Sequence, residues 1–351
     1  MSHNITVREN GQAEAMYAMD PAWHGLGTVL DHAPGGYEAL KASRLLWENE
    51  QYPLVAVVPV EEIDPATGDI VRSTKHVPIT SKVANLRSDT LAELGIVGTS
   101  YSPVQNVEAF SFMDSLVDDN SMRYEAAGSL NGGSTVWLLA RMPGQQQVAE
   151  GDVLKQYLLF TNSHDGSSAI RVHPTCVRVV CQNTLNLARG EAKKNKTATY
   201  SIRHSGNVIA KLDQVRTAIR AANVQFGEFA YLARQMVAAP FGTSLQSMLT
   251  FRLWPDAKKG VNNSRRIKAR NRVMMLMDDA PQRVDGIHGS AWAAYNAVTQ
   301  YIDHELSVGD RSKRMTMKRM ENRMSSTLFG HGAQMKDRAM TEVRSLAGLP
   351  A

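Results

Sequence analysis

Cysteine is nearly absent from this chain: 351 residues contain two, Cys176 and Cys181. Five residues apart, they offer neither a disulfide framework nor a metal-ligand pair of usual spacing. A reducing cytoplasm is therefore the expected setting. No apolar run reaches 18 residues, so no membrane-spanning helix is expected, and Met1 to Asn10 carry no apolar segment of a secretory signal. No His-Glu-x-x-His or Cys-x-x-Cys motif occurs. The Gly-x-Gly at Gly25-Leu26-Gly27 follows no strand pattern and lacks both a third glycine and a Lys-Ser/Thr end, so a nucleotide-binding loop is weakly supported.

Hydrophobic residues make up 43% and charged residues 21%, a balance that folds, and the length suffices for two or more domains. The net charge of +5 conceals an asymmetry. Residues 1–188 hold 12 Lys+Arg against 21 Asp+Glu, a balance of −9. Residues 189–351 hold 27 against 13, a balance of +14. Clustered positive charge points to a polyanionic partner; the alternative is a helical region with a solvated basic face.

The acidic half reads as strands. Leu54–Val60 and Ile70–Ile79 flank the turn Asp64-Pro65-Ala66-Thr67-Gly68-Asp69, and Lys82–Ser88 is a third strand or a loop. Val107–Val117 has helical spacing, with Asn106 as N-cap. Met122–Leu130 and Ser134–Met142 flank Asn131-Gly132-Gly133, which supplies positive φ cheaply. Val153–Phe160 and Ala169–Val180 flank the turn 162–168. Beyond Cys181, helices are predicted over 208–237, 243–251, 264–278, 289–306, 312–328 and 334–346. The fold class is α+β: an antiparallel sheet of β-hairpins with packed helices, followed by an all-helical C-terminal region. The division is 1–188 (sheet domain), 189–240 (basic segment and long helix packing on it) and 241–351 (helical basic domain).

Three chemistries compete for the stretch 161–187. A thiolate–imidazole pair would join Cys176 or Cys181 to His164 or His173, but Cys176 alternates with valines as a core thiol does. A metal-dependent nuclease or hydrolase would use His164, Asp165 and His173, although His164-Asp165-Gly166 also reads as a plain turn. Nucleic-acid binding would use Arg171 and Arg178 on the strand, then Arg189, Lys193, Lys194, Lys196, Arg203 and His204, with Tyr200 among them for base stacking. Arg171, His173 and Thr175 share one strand face. Trp23 stacks on bases or plugs the sheet edge. Further basic clusters lie at Lys258–Arg272 and Arg311–Arg323, the latter interleaved with Met315, Met317, Met320 and Met324. A methionine stripe of that kind suits a subunit or host-protein contact.

Five blocks occur in order: Pro21–Gly27, Tyr101–Asn106, Tyr124–Leu130, Thr161–Leu187 and Ser201–Asn207. With them the chain resembles the phage- and plasmid-encoded family described as phage/plasmid-like protein, a domain of unknown function. The resemblance covers about residues 15–240. It implies a mobile-element gene expressed in bacterial cytoplasm; the family carries no established catalytic residues, so none is carried over, and no cofactor is expected. Together these readings predict a homo-oligomeric protein that binds single-stranded DNA and promotes annealing or recombination without covalent catalysis.

Overall fold

The structure is a computed structural model that describes residues 5–19, 26–120, 122–178, 183–186, 200–204, 215–258, 261–306 and 330–350. Trp23, His24, Cys181, Arg189, Lys193, Lys194, Lys196 and the helix predicted over 312–328 lie outside the described residues. For Arg178 and Tyr200 only the backbone is described.

Strands dominate the first half and helices the second. Among the described residues, eight strands form the large sheet: β1 (Ala15–Ala18), β2 (Thr28–Leu30), β6 (Arg123–Leu130), β7 (Thr135–Ala149), β8 (Asp152–Ser163), β9 (Ile170–Arg178), β10 (Asn183–Asn186) and β11 (Tyr200–Ile202). Their order is β10-β9-β8-β7-β6-β1-β2, and β11 also pairs with β9. All these pairings are antiparallel except β1–β2. The predicted β6–β7 hairpin is present, its turn held by Asn131, Gly132 and Gly133 at φ 53°, 70° and 103°. Gly133 has a second reason to be glycine: a Cβ there would stand 3.0 Å from the Trp47 ring.

A second sheet has the order β3-β4-β5, from β3 (Asn49–Ile63), β4 (Ile70–Arg87) and β5 (Glu93–Gly98). The hairpin predicted at Leu54–Ile79 is thus longer than expected. Lys82–Arg87 is neither loop nor third strand but the continuation of β4, and the third strand, β5, went unrecognised. β5 pairs only with Lys82–Leu86. Beyond the register shift at Pro53/Leu54, the ten residue pairs from Leu54–Ile79 to Ile63–Ile70 form a two-stranded arm with its residues half-buried or exposed.

Two helices cover one face of the large sheet: α1 (Gly36–Ala42) and α2 (Asn106–Asn120). Alternation puts Val136, Leu138, Ala140, Leu158, Phe160, Ile170 and Val172 on that face, packed with Leu40, Phe110 and Met113. A bulge between Tyr124 and Ala126 puts Tyr124 and Ala127 in this core and Ala126 in a smaller cluster with Ile5, Trp137 and Leu159. Asn106 does not cap α2 as expected. Its amide donates to the carbonyls of Leu45 and Trp47, while the backbone N–H of Gln105 is taken by Glu108 three residues on.

Among the described residues, five helices lie in the C-terminal region: α3 (Val215–Ala238), α4 (Thr243–Leu253), α5 (Ser264–Leu276), α6 (Ala291–Gln300) and α7 (His331–Leu346). α6 is capped by Ser290 and runs into a π-helical turn, Tyr301–Glu305. Phe226, Phe229, Ala233 and Met236 of α3 pack with Trp292, Ala294 and Val298 of α6. Val148, Leu154 and Cys176 join this second core from the sheet. Trp292 Nε1 donates to Asp152 Oδ2 at 2.8 Å, tying α6 to the start of β8.

Candidate nucleic-acid interface

Along β9, burial alternates as the sequence predicted. Ile170, Val172, Pro174 and Cys176 are buried, whereas Arg171, His173 and Val177 are half-exposed; Thr175 departs from the pattern and is buried. Arg171 opens onto a cleft of ≈ 260 Å³ lined by Asn131, Thr135, Thr161, Ser163, Asp165, Ser167 and Ser168, among others. Cross-strand pairing explains the grouping: Thr161 lies opposite both Trp137 and Arg171, and Ser163 opposite Thr135. Among the described residues, the Arg171 guanidinium holds no ion pair or hydrogen bond. The single carboxylate of the cleft is already engaged. Asp165 Oδ1 accepts from Ser163 Oγ at 2.5 Å and from the Ser167 backbone N–H at 2.8 Å, closing the turn through Gly166 at φ 74°. Among the described residues, what remains for a ligand is the Arg171 guanidinium amid hydroxyls and amides, a surface suited to anionic oxygens.

The edge of β9 carries a further arrangement. β10 pairs with Thr175–Arg178 and β11 with Ile170–Val172. Asn186 is therefore at Thr175 and Tyr200 at Val172, so the chain leaves and rejoins one strand three residues apart. Arg189, Lys193, Lys194 and Lys196 fall in the sequence between these two pairings. Ser201 pairs with Arg171 and shares its face, and Arg203, just beyond β11, is exposed.

His204 does not belong with these cations. It is 7% exposed, stacked on Tyr101 with ring centroids 4.7 Å apart, and its Nδ1 lies 3.3 Å from the Ser102 carbonyl. Burial holds its pKa below the ordinary imidazole value, so at neutral pH it is uncharged and cannot neutralise a phosphate.

The residues of the hydrolase reading are separated in role. His164 is fully buried. Its Nδ1 lies 3.1 Å from Asn49 Nδ2 and its Nε2 3.1 Å from Asn106 Oδ1. Nδ1 thus accepts and Nε2–H donates, which leaves no lone pair for a metal. Desolvation lowers its pKa to about 3. Its carbonyl accepts from Asn85 Nδ2 at 2.6 Å, and Trp47 meets the ring edge-on. This is a structural histidine, and its partners, 58 and 115 residues away, gave no signal in the sequence. Asp165 serves the turn, and His173 sits on the half-exposed face of β9. Among the described residues no three His, Cys, Asp or Glu side chains are grouped to hold a metal ion. The Cys176 thiol is buried, and burial pushes its pKa up, away from nucleophilic use.

Sequence reasoning also missed a buried charge cluster beside the site. Glu14, fully buried, accepts from Arg87 Nη2 at 2.7 Å, Arg87 Nη1 at 3.1 Å, Arg8 Nε at 2.9 Å and Ser129 Oγ at 2.5 Å. Arg87 also lies over the Trp47 ring at 4.4 Å and binds the Gly132 carbonyl of the β6–β7 turn. It links the second sheet to the turn whose Asn131 lines the cleft.

Residues 93–328 match a family model described as Domain of unknown function (DUF932). The chain belongs to the DUF932 family. The DUF932 match opens at the first residue of β5 and takes in α2, strands β6 to β11 and the cleft; strands β1 to β4, including the arm, precede it. No curated protein and no solved structure matches the chain. Among the described residues no helix is long and apolar enough to cross a membrane.

Proposed function

We propose that this DUF932 protein binds single-stranded nucleic acid along the β9 edge of its large sheet and promotes strand annealing or recombination, as an oligomer and without covalent chemistry. One observation carries the reading: Arg171, without an ion-pair partner among the described residues, lines a hydroxyl-rich cleft on the strand whose edge also anchors both ends of the basic run 187–199. In this reading Arg171 and Arg203 hold phosphates at the sheet. Arg178, Arg189, Lys193, Lys194 and Lys196 extend the contact, and the hydroxyls of Thr135, Thr161 and Ser167 donate to phosphate oxygens. Binding releases condensed counterions, so affinity falls with salt by about 0.7 log units in K per log unit of salt for each phosphate neutralised. The resemblance to phage- and plasmid-encoded proteins supports a mobile-element origin and action in a bacterial cytoplasm. Its test is a titration of labelled single-stranded oligonucleotide across a series of salt concentrations, paired with an annealing assay on complementary strands. Affinity independent of salt, or annealing no faster than in buffer, refutes the reading.

A further inference from the structure

Among the described residues, no helix or further strand packs extensively on the β3–β4 arm. Ten residue pairs at about 3.3 Å per residue carry it roughly 30 Å from the body. A free two-stranded ribbon is marginal in water even when polar, and this one is rich in aliphatics. Cross-strand partners share a face. One face therefore carries Leu54, Ala56, Val58 and Val60 with Val71, Val77 and Ile79. The other carries Val55, Val57, Ile63 and Ile70. Eight of these side chains are at least two-fifths exposed, from Ile79 at 40% to Ile63 at 72%. They divide between the two opposite faces of the ribbon: Val58, Val71, Val77 and Ile79 on one, Val55, Val57, Ile63 and Ile70 on the other, so each face carries an apolar strip open to solvent.

The tip of the arm is acidic. Glu61 is paired with Arg72, but Glu62, Asp64 and Asp69 have no cation within ion-pair distance among the described residues.

A surface of matching character exists on the same chain. Met248 and Phe251 stand on successive turns of α4, 45% and 52% exposed. Arg270 of α5 lies over Phe251 at 3.9 Å, and Ile267, one turn earlier, is 43% exposed. On α5 and the segment before it, Lys258, Arg265 and Lys268 are exposed and hold no ion pair among the described residues. Both surfaces face solvent within one copy, so they do not cover each other there.

From this complementarity we infer that the arm of one copy docks on the α4–α5 face of a second copy. The aliphatic face covers Met248, Phe251 and Ile267, and the acidic tip meets Lys258, Arg265 and Lys268. With three exposed side chains on the docking face and four on the facing side of the arm, the contact belongs to the small, concentration-dependent end of specific interfaces. The contact is heterologous: each copy offers an arm and a docking face that are different surfaces. Repetition gives a ring if the rotation closes and a filament if it does not. The overall charge balance, −9 in residues 1–188 and +14 in 189–351, favours the same head-to-tail sense.

The experiment measures the mass of the full chain by sedimentation and light scattering, free of nucleic acid, over a range of concentration and salt. The arm variant is Val58→Glu with Val77→Glu; the face variant is Ile267→Glu with Lys268→Glu. All four positions are exposed, and unchanged circular dichroism verifies the fold. Wild type is expected to exceed one chain and to grow with concentration, while each variant self-associates more than about tenfold more weakly because it buries an unpaired charge. Mixing the two variants is decisive. The intact arm of the face variant meets the intact face of the arm variant, and the product stops at two chains. A single-chain mass for wild type throughout, an arm variant that assembles like wild type, or a mixture that stays at one chain would each overturn the inference. Oligonucleotide binding that is absent or independent of salt, with assembly intact, would instead count against the nucleic-acid reading alone.

Discussion

Moving from pH 7 to pH 5 is expected to cost this protein about 2 kcal/mol of folding stability through His164. The ring is fully buried, with one nitrogen accepting from Asn49 and the other donating to Asn106, and desolvation lowers its pKa to about 3. In the unfolded chain the same ring titrates near 6.5. The folded-state value is depressed, so below about pH 6.5 the unfolded state binds the proton that the folded state refuses. The full contribution is present above that pH and is lost progressively as pH falls towards 3. At pH 5 the gap is about one and a half units, each worth about 1.4 kcal/mol, which gives the figure above. His204 is shifted the same way and adds to the loss. Carboxylates release their contributions near or below their ordinary range around 4, so the interval from 7 to 5 reports mainly on histidines. The assay is urea unfolding at both pH values for wild type and His164→Gln. The variant is less stable at pH 7 but should lose about 2 kcal/mol less on acidification. An equal loss in both proteins, or a His164 resonance titrating near 6.5 in the folded state, would refute the reasoning.

Other expectations follow from the same contacts. Glu14→Ala strips Arg87 of its buried partner and should cost about 3–5 kcal/mol in urea unfolding; a loss under about 1 kcal/mol would contradict a buried ion pair at this position. Gly95→Ala would put a Cβ 2.7 Å from the Cα of Asp165, a backbone atom that cannot swing aside, so β5 or the 163–168 turn must move at a cost of about 1–3 kcal/mol, read as a lower thermal midpoint. Arg171→Ala should weaken oligonucleotide binding and reduce the salt slope by about 0.7, with no change in unfolding free energy beyond about 0.5 kcal/mol. A normal salt slope in that variant would remove Arg171 from the interface.

How far the residues foretold the structure depended on the range of the interactions involved. The β6–β7 hairpin was legible because Asn131-Gly132-Gly133 is a local signal that only positive φ explains. The helices at 243–253, 264–276 and 331–346 were legible because periodicity and flanking Gly, Pro or Asp are local too. The parallel β1–β2 pair, short α1 and β5 were not read, since three to seven residues carry little periodicity of their own and are held by partners far along the chain. The site divides in the same way. Arg171 was placed on its face by counting alternate residues along β9. The cleft around it needs Thr135 and Asn131 from another hairpin, and no spacing rule supplies that. His164 and His204 looked reactive because polar clusters in sequence are indistinguishable from buried ones until Asn49, Asn106 and Tyr101 close around them.

The return of the chain to β9 has a consequence for variation. Two anchor points three residues apart on one strand are about 10 Å from each other. The entropy of closing a loop between fixed ends grows by only about 0.6 kcal/mol per doubling of its length. Whatever joins Asn186 to Tyr200 can therefore lengthen, shorten or change composition while the pairing at Thr175 and Val172 stays as it is. Grafting foreign sequence between these two points should be tolerated by the scaffold, making the position a natural insertion point for new binding preferences.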